Sequence, residues 1–165
     1  CYSCGHITFA NEKTKRAEVK GGMIHSKIMA LKARGISKES CAHYRYGIGR
    51  LDGEVVHVAP YYDAKGALVA QKIRTKDKEF LGLGDLKAGT LFGQQVCRIG
   101  GKQIVVTEGE IDAMSMFEAM GRRWPAVSLK NGAGQGKGAA KAAKELVAQL
   151  DFLNSFERII LAFDQ

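Results

Sequence analysis

The hydrophobic pattern changes its period along the chain. Ile24, Ile28 and Leu31 recur at helical spacing and Gly35 supplies a stop, so a short helix is predicted there. Ser37, ahead of "KESCAHY", caps a second short helix. From Tyr46 the period moves to two. "YGIGRL", a turn at Asp52-Gly53, "VVHVAPYYD", a turn at "DAKG" and "ALVAQKIR" predict a three-stranded antiparallel meander. "LGLGDLKAGTLFG" is Gly-rich and predicts an irregular connection. The last third follows a different grammar: strand "QIVVT", a helix from Glu110 to Met120 stopped by Gly121, strand "PAVSL", a Gly-rich turn, helix "KGAAKAAKELVAQL" and strand "RIILAF". This β-α-β-α-β order is the mark of a parallel sheet with helices on its faces.

The fold class expected is therefore α+β. A small, mixed, basic N-terminal subdomain with an antiparallel meander (residues 23–100) is followed by an α/β domain with a parallel sheet (101–165) that is incomplete at its C-terminal end. Residues 11–22, "NEKTKRAEVKGG", are polar and end in Gly-Gly, which suits a linker after residues 1–10. At 165 residues with 45% hydrophobic content the chain can build a packed core. No leader pattern and no membrane-length apolar run is present, so a soluble, cytoplasmic protein is expected. The first residue is Cys rather than Met, and the expectation is that this chain belongs to a longer one.

Charge is unevenly placed. Residues 1–100 hold 17 Lys plus Arg against 9 Asp plus Glu, and residues 101–165 hold 8 against 8, so the net +8 lies entirely in the first part. A basic surface that meets a polyanion is one reading, and a solvated face the other. Along "ALVAQKIRTKDKEF", Lys72, Arg74, Lys76 and Lys78 share parity. In an extended chain they project from one face about 7 Å apart, near the spacing of phosphates along a nucleic-acid strand. Tyr44, Tyr46, Tyr61 and Tyr62 suit either base stacking or sheet packing.

Cys1 and Cys4 form C-x-x-C, half of a usual zinc spacing. A site would need ligands from upstream, with His6 a weak third. Cys41 and Cys97 stand alone and suit small buried positions.

The stretch "TEGEID" carries three acids on alternate positions at a strand-to-helix junction. Thr107 and Glu110 match the T-x-x-E capping box, and Asp112 suits the positive first turn of a helix. Glu108 remains at the carboxyl end of its strand, where parallel α/β sheets bind ligands. Asp164 follows "RIILAF" in the same way. Two carboxylates on one sheet edge are hard donors that suit Mg²⁺ or Mn²⁺ with phosphates completing the shell. "KNGAGQGKG", residues 130–138, leads to a helix on that edge, but it lacks the G-K-[ST] of a Walker A loop and also reads as a plain connection.

"IVVTEGEIDAMSM" followed by "IILAFD" resembles the Toprim domain of bacterial-type primases, topoisomerases and some nucleases. Together with "ARGISKESC", "QKIRTKDKEF", "LFG" and "GGKQIVVTEGEID", in order, nearly the whole chain resembles the primase half of the bifunctional primase–helicases of T-odd bacteriophages. The resemblance implies a DNA primase, a template-directed RNA polymerase that makes short primers from ribonucleoside triphosphates on single-stranded DNA. It implies that Glu108 and Asp164 belong to a Mg²⁺ or Mn²⁺ centre and that Lys72 and Lys78 meet nucleotide and template phosphates. Arg74 and Lys76 join them by strand parity alone. It further implies that Cys1 and Cys4 are half of a Zn²⁺ ribbon that selects the priming sequence. Implied partners are a replicative helicase domain, hexameric and on the same polypeptide, and a DNA polymerase in the host cytoplasm.

Departures from the family pattern set an expectation about activity. The second acid of the Asp-x-Asp pair and half of the zinc site are not in these 165 residues, so the fragment alone is expected to prime weakly or not at all. A Toprim nuclease or topoisomerase, or a non-catalytic module that only grips DNA for a helicase, are the competing readings. A topoisomerase would need a transesterifying tyrosine that nothing identifies, and degraded acidic and zinc positions, absent here, would mark the grip-only module.

Overall fold

A computed structural model describes residues 22–134 and 136–163. Cys1, Cys4, Asp164 and all of the expected linker except Gly22 lie outside those residues. Two sheets make up the described fold. The first is antiparallel, with β1 (Ser26–Lys27), β2 (Gly47–Leu51), β3 (Glu54–Tyr62), β4 (Leu68–Arg74) and β5 (Phe80–Gly84) in sequential order. The second is parallel, in the order β7-β6-β8, from β6 (Ile104–Thr107), β7 (Ala126–Ser128) and β8 (Ile159–Ala162). Helices are α1 (Lys38–Tyr44), α2 (Glu110–Ala119), α3 (Lys137–Val147) and α4 (Leu150–Leu153).

The meander forms where the turn chemistry requires it. Asp52 and Gly53, with φ of 50° and 85°, make the tight β2–β3 turn. In the β3–β4 turn the Asp63 carboxylate accepts from the Lys65 and Ala67 amides. Ser37 caps α1 as expected, accepting from the Ser40 amide at 3.1 Å. On α2, Glu118 reinforces that end, accepting from the Ser37 amide (3.0 Å), the Ser37 hydroxyl (2.7 Å) and the Ser40 hydroxyl.

The expected helix over residues 24–31 is corrected. This segment is extended, contributes β1 and alternates half-buried and exposed positions. Ile24 and Ile28 stand four apart, a spacing shared by periods of 3.6 and 2, and tertiary contacts select the second. Gln71 selects it in particular: its buried amide accepts from the Ile24 N–H (2.8 Å) and donates to the Ile24 carbonyl (2.9 Å). The strap crosses the sheet over Gly47 and Gly49, where a Cβ would come within 2.5 Å of Ser26 Oγ and 2.9 Å of the His25 carbonyl.

The expected irregular connection is corrected in part. Its start is β5, in which Leu83 packs inward while Gly82 and Gly84 hide the alternation from a reading by hydrophobicity. Farther on, Phe92 exchanges backbone hydrogen bonds with Ser128, pinning the connection to the parallel sheet.

One core lies between the sheets. Tyr44, Tyr46, Ala59, Tyr61 and Ala70 meet Phe92, Val105, Ala113, Met114 and Ala126 in it. The other face of the parallel sheet, with Ile104, Val106 and Val127, packs on Ala142, Leu153 and Phe156. β6 is therefore buried on both faces, as central parallel strands are. The four tyrosines considered for stacking are all buried, so they serve packing. No helix among the described residues is long and apolar enough to cross a membrane.

Candidate nucleotide and metal site

The row of four cations expected on β4 is corrected. The strand ends at Arg74, and Thr75 and Glu79 close a hairpin through Thr75 N–H to the Glu79 carbonyl (3.0 Å) and Lys78 N–H to the Thr75 carbonyl (3.2 Å). Lys78 has φ of 64°, and Lys76 lies 3.5 Å from Glu54 in an exposed ion pair. Only Lys72 and Arg74 share a strand face; Lys76 and Lys78 belong to the turn.

Lys72 points into the junction between the sheets. Its Nζ is 2.8 Å from Glu110 Oε1 and donates to the Lys130 carbonyl at 2.6 Å. It also lies 4.8 Å from the centre of the Phe80 ring. Glu110 in turn accepts from the Tyr61 hydroxyl. Burial, and then the Glu110 charge, hold Tyr61 well above the usual phenol range, so it stays a donor. The Lys130 amide donates to Glu145 (2.7 Å) and the Lys130 ammonium to the Gly89 carbonyl. Burial pushes the Glu145 carboxyl up, with Lys130 and Lys72 partly opposing it.

The role expected for Glu110 is thereby corrected. α2 begins at Glu110 with Gly109 as its N-cap and no side-chain cap bond, so Thr107 lies too early for a capping box. The Thr107 hydroxyl instead donates to the Gly109 and Val127 carbonyls. Asp112 keeps its expected place in the first turn, and a Cβ on Gly109 would stand 2.9 Å from its Oδ2. Sequence spacing missed Glu110, Tyr61 and Lys130. A polar-tipped Tyr in an otherwise apolar strand facing a core was the available signal.

Glu108 follows Thr107, the last ladder residue of β6, and Thr107 pairs with Ala162 on β8. The glycine-rich turn passes the same carboxylate, since a Cβ on Gly132 would be 3.9 Å from Glu108 Oε2. Glu108 thus stands at the carboxyl edge of the parallel sheet, beside the loop that Lys130 and Lys72 hold. Among the described residues no group of three or more His, Cys, Asp or Glu could hold a metal ion. Among the described residues Glu108 is the carboxylate placed at this edge, a hard oxygen donor of the kind that suits a divalent cation.

On the face that it shares with Lys72, the Arg74 guanidinium lies 5.7 Å from the Phe80 ring centre. His57, across the ladder from Arg74, contacts the Tyr46 hydroxyl through Nδ1 at 3.0 Å. Burial first, then Arg74 and Arg34, lower the His57 pKa, so the ring is neutral around pH 7 and the positive charge here is that of the arginines.

Residues 26–84 match the family model described as bacteriophage T7 DNA helicase/primase, N-terminal α+β fold. The DNA helicase/primase of Enterobacteria phage T3 is 38% identical over 180 aligned positions, which take in 99% of this chain and 31% of that protein. The crystal structure of the primase fragment of the bacteriophage T7 primase–helicase superposes with a TM-score of 0.76 at 43% identity, covering 86% of this chain and 56% of that one. A second structure, of bacteriophage T7 lagging-strand DNA polymerase with primase domains of two gp4 subunits bound to an RNA/DNA hybrid and dTTP, gives 0.73 at 44% identity, covering 86% of this chain and 69% of that one. This chain thus spans about a third of the phage T3 protein and just over half of the T7 fragment.

Proposed function

We propose, because this chain belongs to the bacteriophage T7-type DNA helicase/primase family, that it is the primase part of such a protein and takes part in synthesis of short RNA primers from ribonucleoside triphosphates on single-stranded DNA during replication. The observation that carries this reading is the meeting of two surfaces. The Lys72–Glu110 pair fastens a basic antiparallel sheet against the carboxylate edge of a parallel one, in a fold shared with a phage primase fragment.

In this reading residues 101–165 are a Toprim domain, and Glu108, with Asp164 beyond the described strand, would hold a divalent cation, Mg²⁺ or Mn²⁺. When bound, that cation neutralises the triphosphate and helps to form the attacking 3′-oxygen. The chain's own residues do the rest. Arg74, with Lys76 and Lys78 in the hairpin turn that follows it, supplies positive charge for phosphates. Lys72 acts at one remove, fixing Glu110 and the Lys130 loop beside Glu108. Cys1 and Cys4 contribute half of a Zn²⁺ ribbon that selects the template sequence. A hexameric helicase domain on the same polypeptide and a DNA polymerase are the partners, in the host cytoplasm.

The test is a template-directed assay on the full-length protein that carries this chain, with single-stranded DNA, ribonucleoside triphosphates and Mg²⁺ or Mn²⁺. Oligoribonucleotides dependent on the template are expected. Glu108→Ala and Asp164→Ala should each lower the rate by about 100-fold or more, the scale of one lost electrostatic contact to a transition state. Full activity in either variant removes that residue from the metal centre.

A further inference from the structure

Phe80 is the least explained residue of the antiparallel sheet. It is 54% exposed, although it begins a strand whose Leu83 is buried. It faces the same side as its ladder partner Arg74. Two cations approach its ring, Lys72 Nζ at 4.8 Å and the Arg74 guanidinium at 5.7 Å. Two residues along that face stands Gly82, the ladder partner of Lys72, and a Cβ placed there would meet nothing within 4 Å. Clear space therefore adjoins the ring.

A core-packing role accounts for none of this, since a packed Phe would be covered. Cation contacts alone account for Lys72 and Arg74 but not for the open ledge. An exposed aromatic beside positive charge is the combination by which proteins hold single-stranded nucleic acid, the ring taking a base and the cation the adjoining phosphate. Lys72 has its charge committed to Glu110 and its remaining contacts to the Lys130 carbonyl, so Arg74 is the phosphate partner.

We propose that Phe80, with Arg74 and the ledge at Gly82, is a stacking subsite for one nucleobase and its phosphate. The inference rests on the primase reading for the identity of its ligand, a base-bearing phosphate from either an incoming ribonucleotide or the template strand. Lys72 contacts Phe80 and donates to the carbonyl of Lys130, which opens the loop that passes Glu108, so the subsite adjoins that loop.

The experiment measures binding by this 165-residue chain, independent of primer synthesis. The probes are ATP, inorganic triphosphate and a short oligodeoxythymidylate. Phe80→Leu keeps the apolar bulk and removes the aromatic face. It should weaken ATP, the oligonucleotide or both by about 5- to 100-fold, the range for one stacked base, and leave inorganic triphosphate unchanged. The affected probe identifies the source of the base. Gly82→Val fills the ledge on a backbone that a β-branched residue accepts, and should have the same selective effect with an unaltered unfolding midpoint. In Phe80→Trp, binding should be retained and the added indole emission quenched by ATP but not by inorganic triphosphate, with the parent chain and its Trp124 as the blank. Arg74→Gln should weaken all three probes. Unchanged ATP and oligonucleotide affinity in Phe80→Leu, or an equal loss for inorganic triphosphate, overturns the subsite. Failure of the full-length protein to make primers overturns the primase reading and leaves these measurements standing.

Discussion

The Lys72 ammonium, on a strand of the antiparallel sheet, lies 2.8 Å from the Glu110 carboxylate at the first turn of a helix from the parallel unit. Both side chains are nearly covered, with 14% and 10% of their surface left to solvent. A pair so placed holds two substructures in one relative position, and it does so beside Glu108.

Removing one partner should therefore cost far more than removing both. Lys72→Met leaves Glu110 buried with the Tyr61 hydroxyl as its side-chain partner among the described residues, and should lower stability by about 3–5 kcal/mol, the usual penalty for stranding a buried charge. Lys72→Met combined with Glu110→Gln should recover most of that loss. Urea unfolding of the two single variants and the double variant gives the coupling directly, and additive losses would contradict it.

Glu118 gives a pH dependence of known sign. Its three bonds to Ser37 and Ser40 hold the carboxyl below the ordinary value of 4.5. The folded chain therefore binds a proton there less readily than the unfolded chain, and the carboxylate stabilises above pH 4.5 and loses this as pH falls through the lowered folded value. Glu118→Ala should cost about 1–3 kcal/mol at pH 7, the scale of hydrogen bonds to a charged group. The difference between variant and parent should shrink below pH 4, measured by denaturant midpoints.

Two glycines with the same backbone sign should respond differently to Ala. Gly93 has φ of 84° and a Cβ there would stand 2.5 Å from the Tyr44 ring, whereas Gly66, at 82°, has open space. Gly66→Ala should lose about 1–2 kcal/mol from the left-handed backbone alone. Gly93→Ala should lose about 1–3 kcal/mol more, because the ring is locked among Phe92, Phe117 and the Ala126 carbonyl.

The described thiols should be unreactive while the chain is folded. Burial pushes Cys97 up to about 12 and also raises Cys41, so neither forms thiolate near neutrality. Alkylation at pH 8 should modify both only in denaturant, and peptide mapping would reveal an exception.

The parallel unit was readable because its strands are short apolar runs, with β6 and β7 buried throughout, and because α2 carries its own stop. Gly121, with φ of 64°, ends α2 as its position implied. The meander was readable through Asp52-Gly53 and "DAKG". Residues 24–31 were misread because a four-residue spacing serves two periods, and β5 was missed because glycine at alternate positions erases the pattern that marks a strand. At the site, Glu108 followed from strand-end geometry. Glu110 did not, since a two-residue shift of the N-cap, from Thr107 to Gly109, turns a capping acid into a buried partner of Lys72. The cation row failed for a similar reason: parity holds only while the chain stays extended, and the hairpin starts after Arg74.

The strap that Gln71 fastens has a mechanical consequence. Met23 reaches Gly84 on the edge strand, Ile24 is tied to the middle of the sheet, and Ser26–Lys27 pair with β2. The main chain at Gly22 therefore joins the fold at the β5 edge, on the face opposite Arg74 and Phe80. Tension on the chain there is borne first by the two bonds from one glutamine amide and then by a two-residue ladder. Gln71 and Lys72 are neighbours on β4, so the strand that holds the strap also holds the ion pair beside the carboxylate edge.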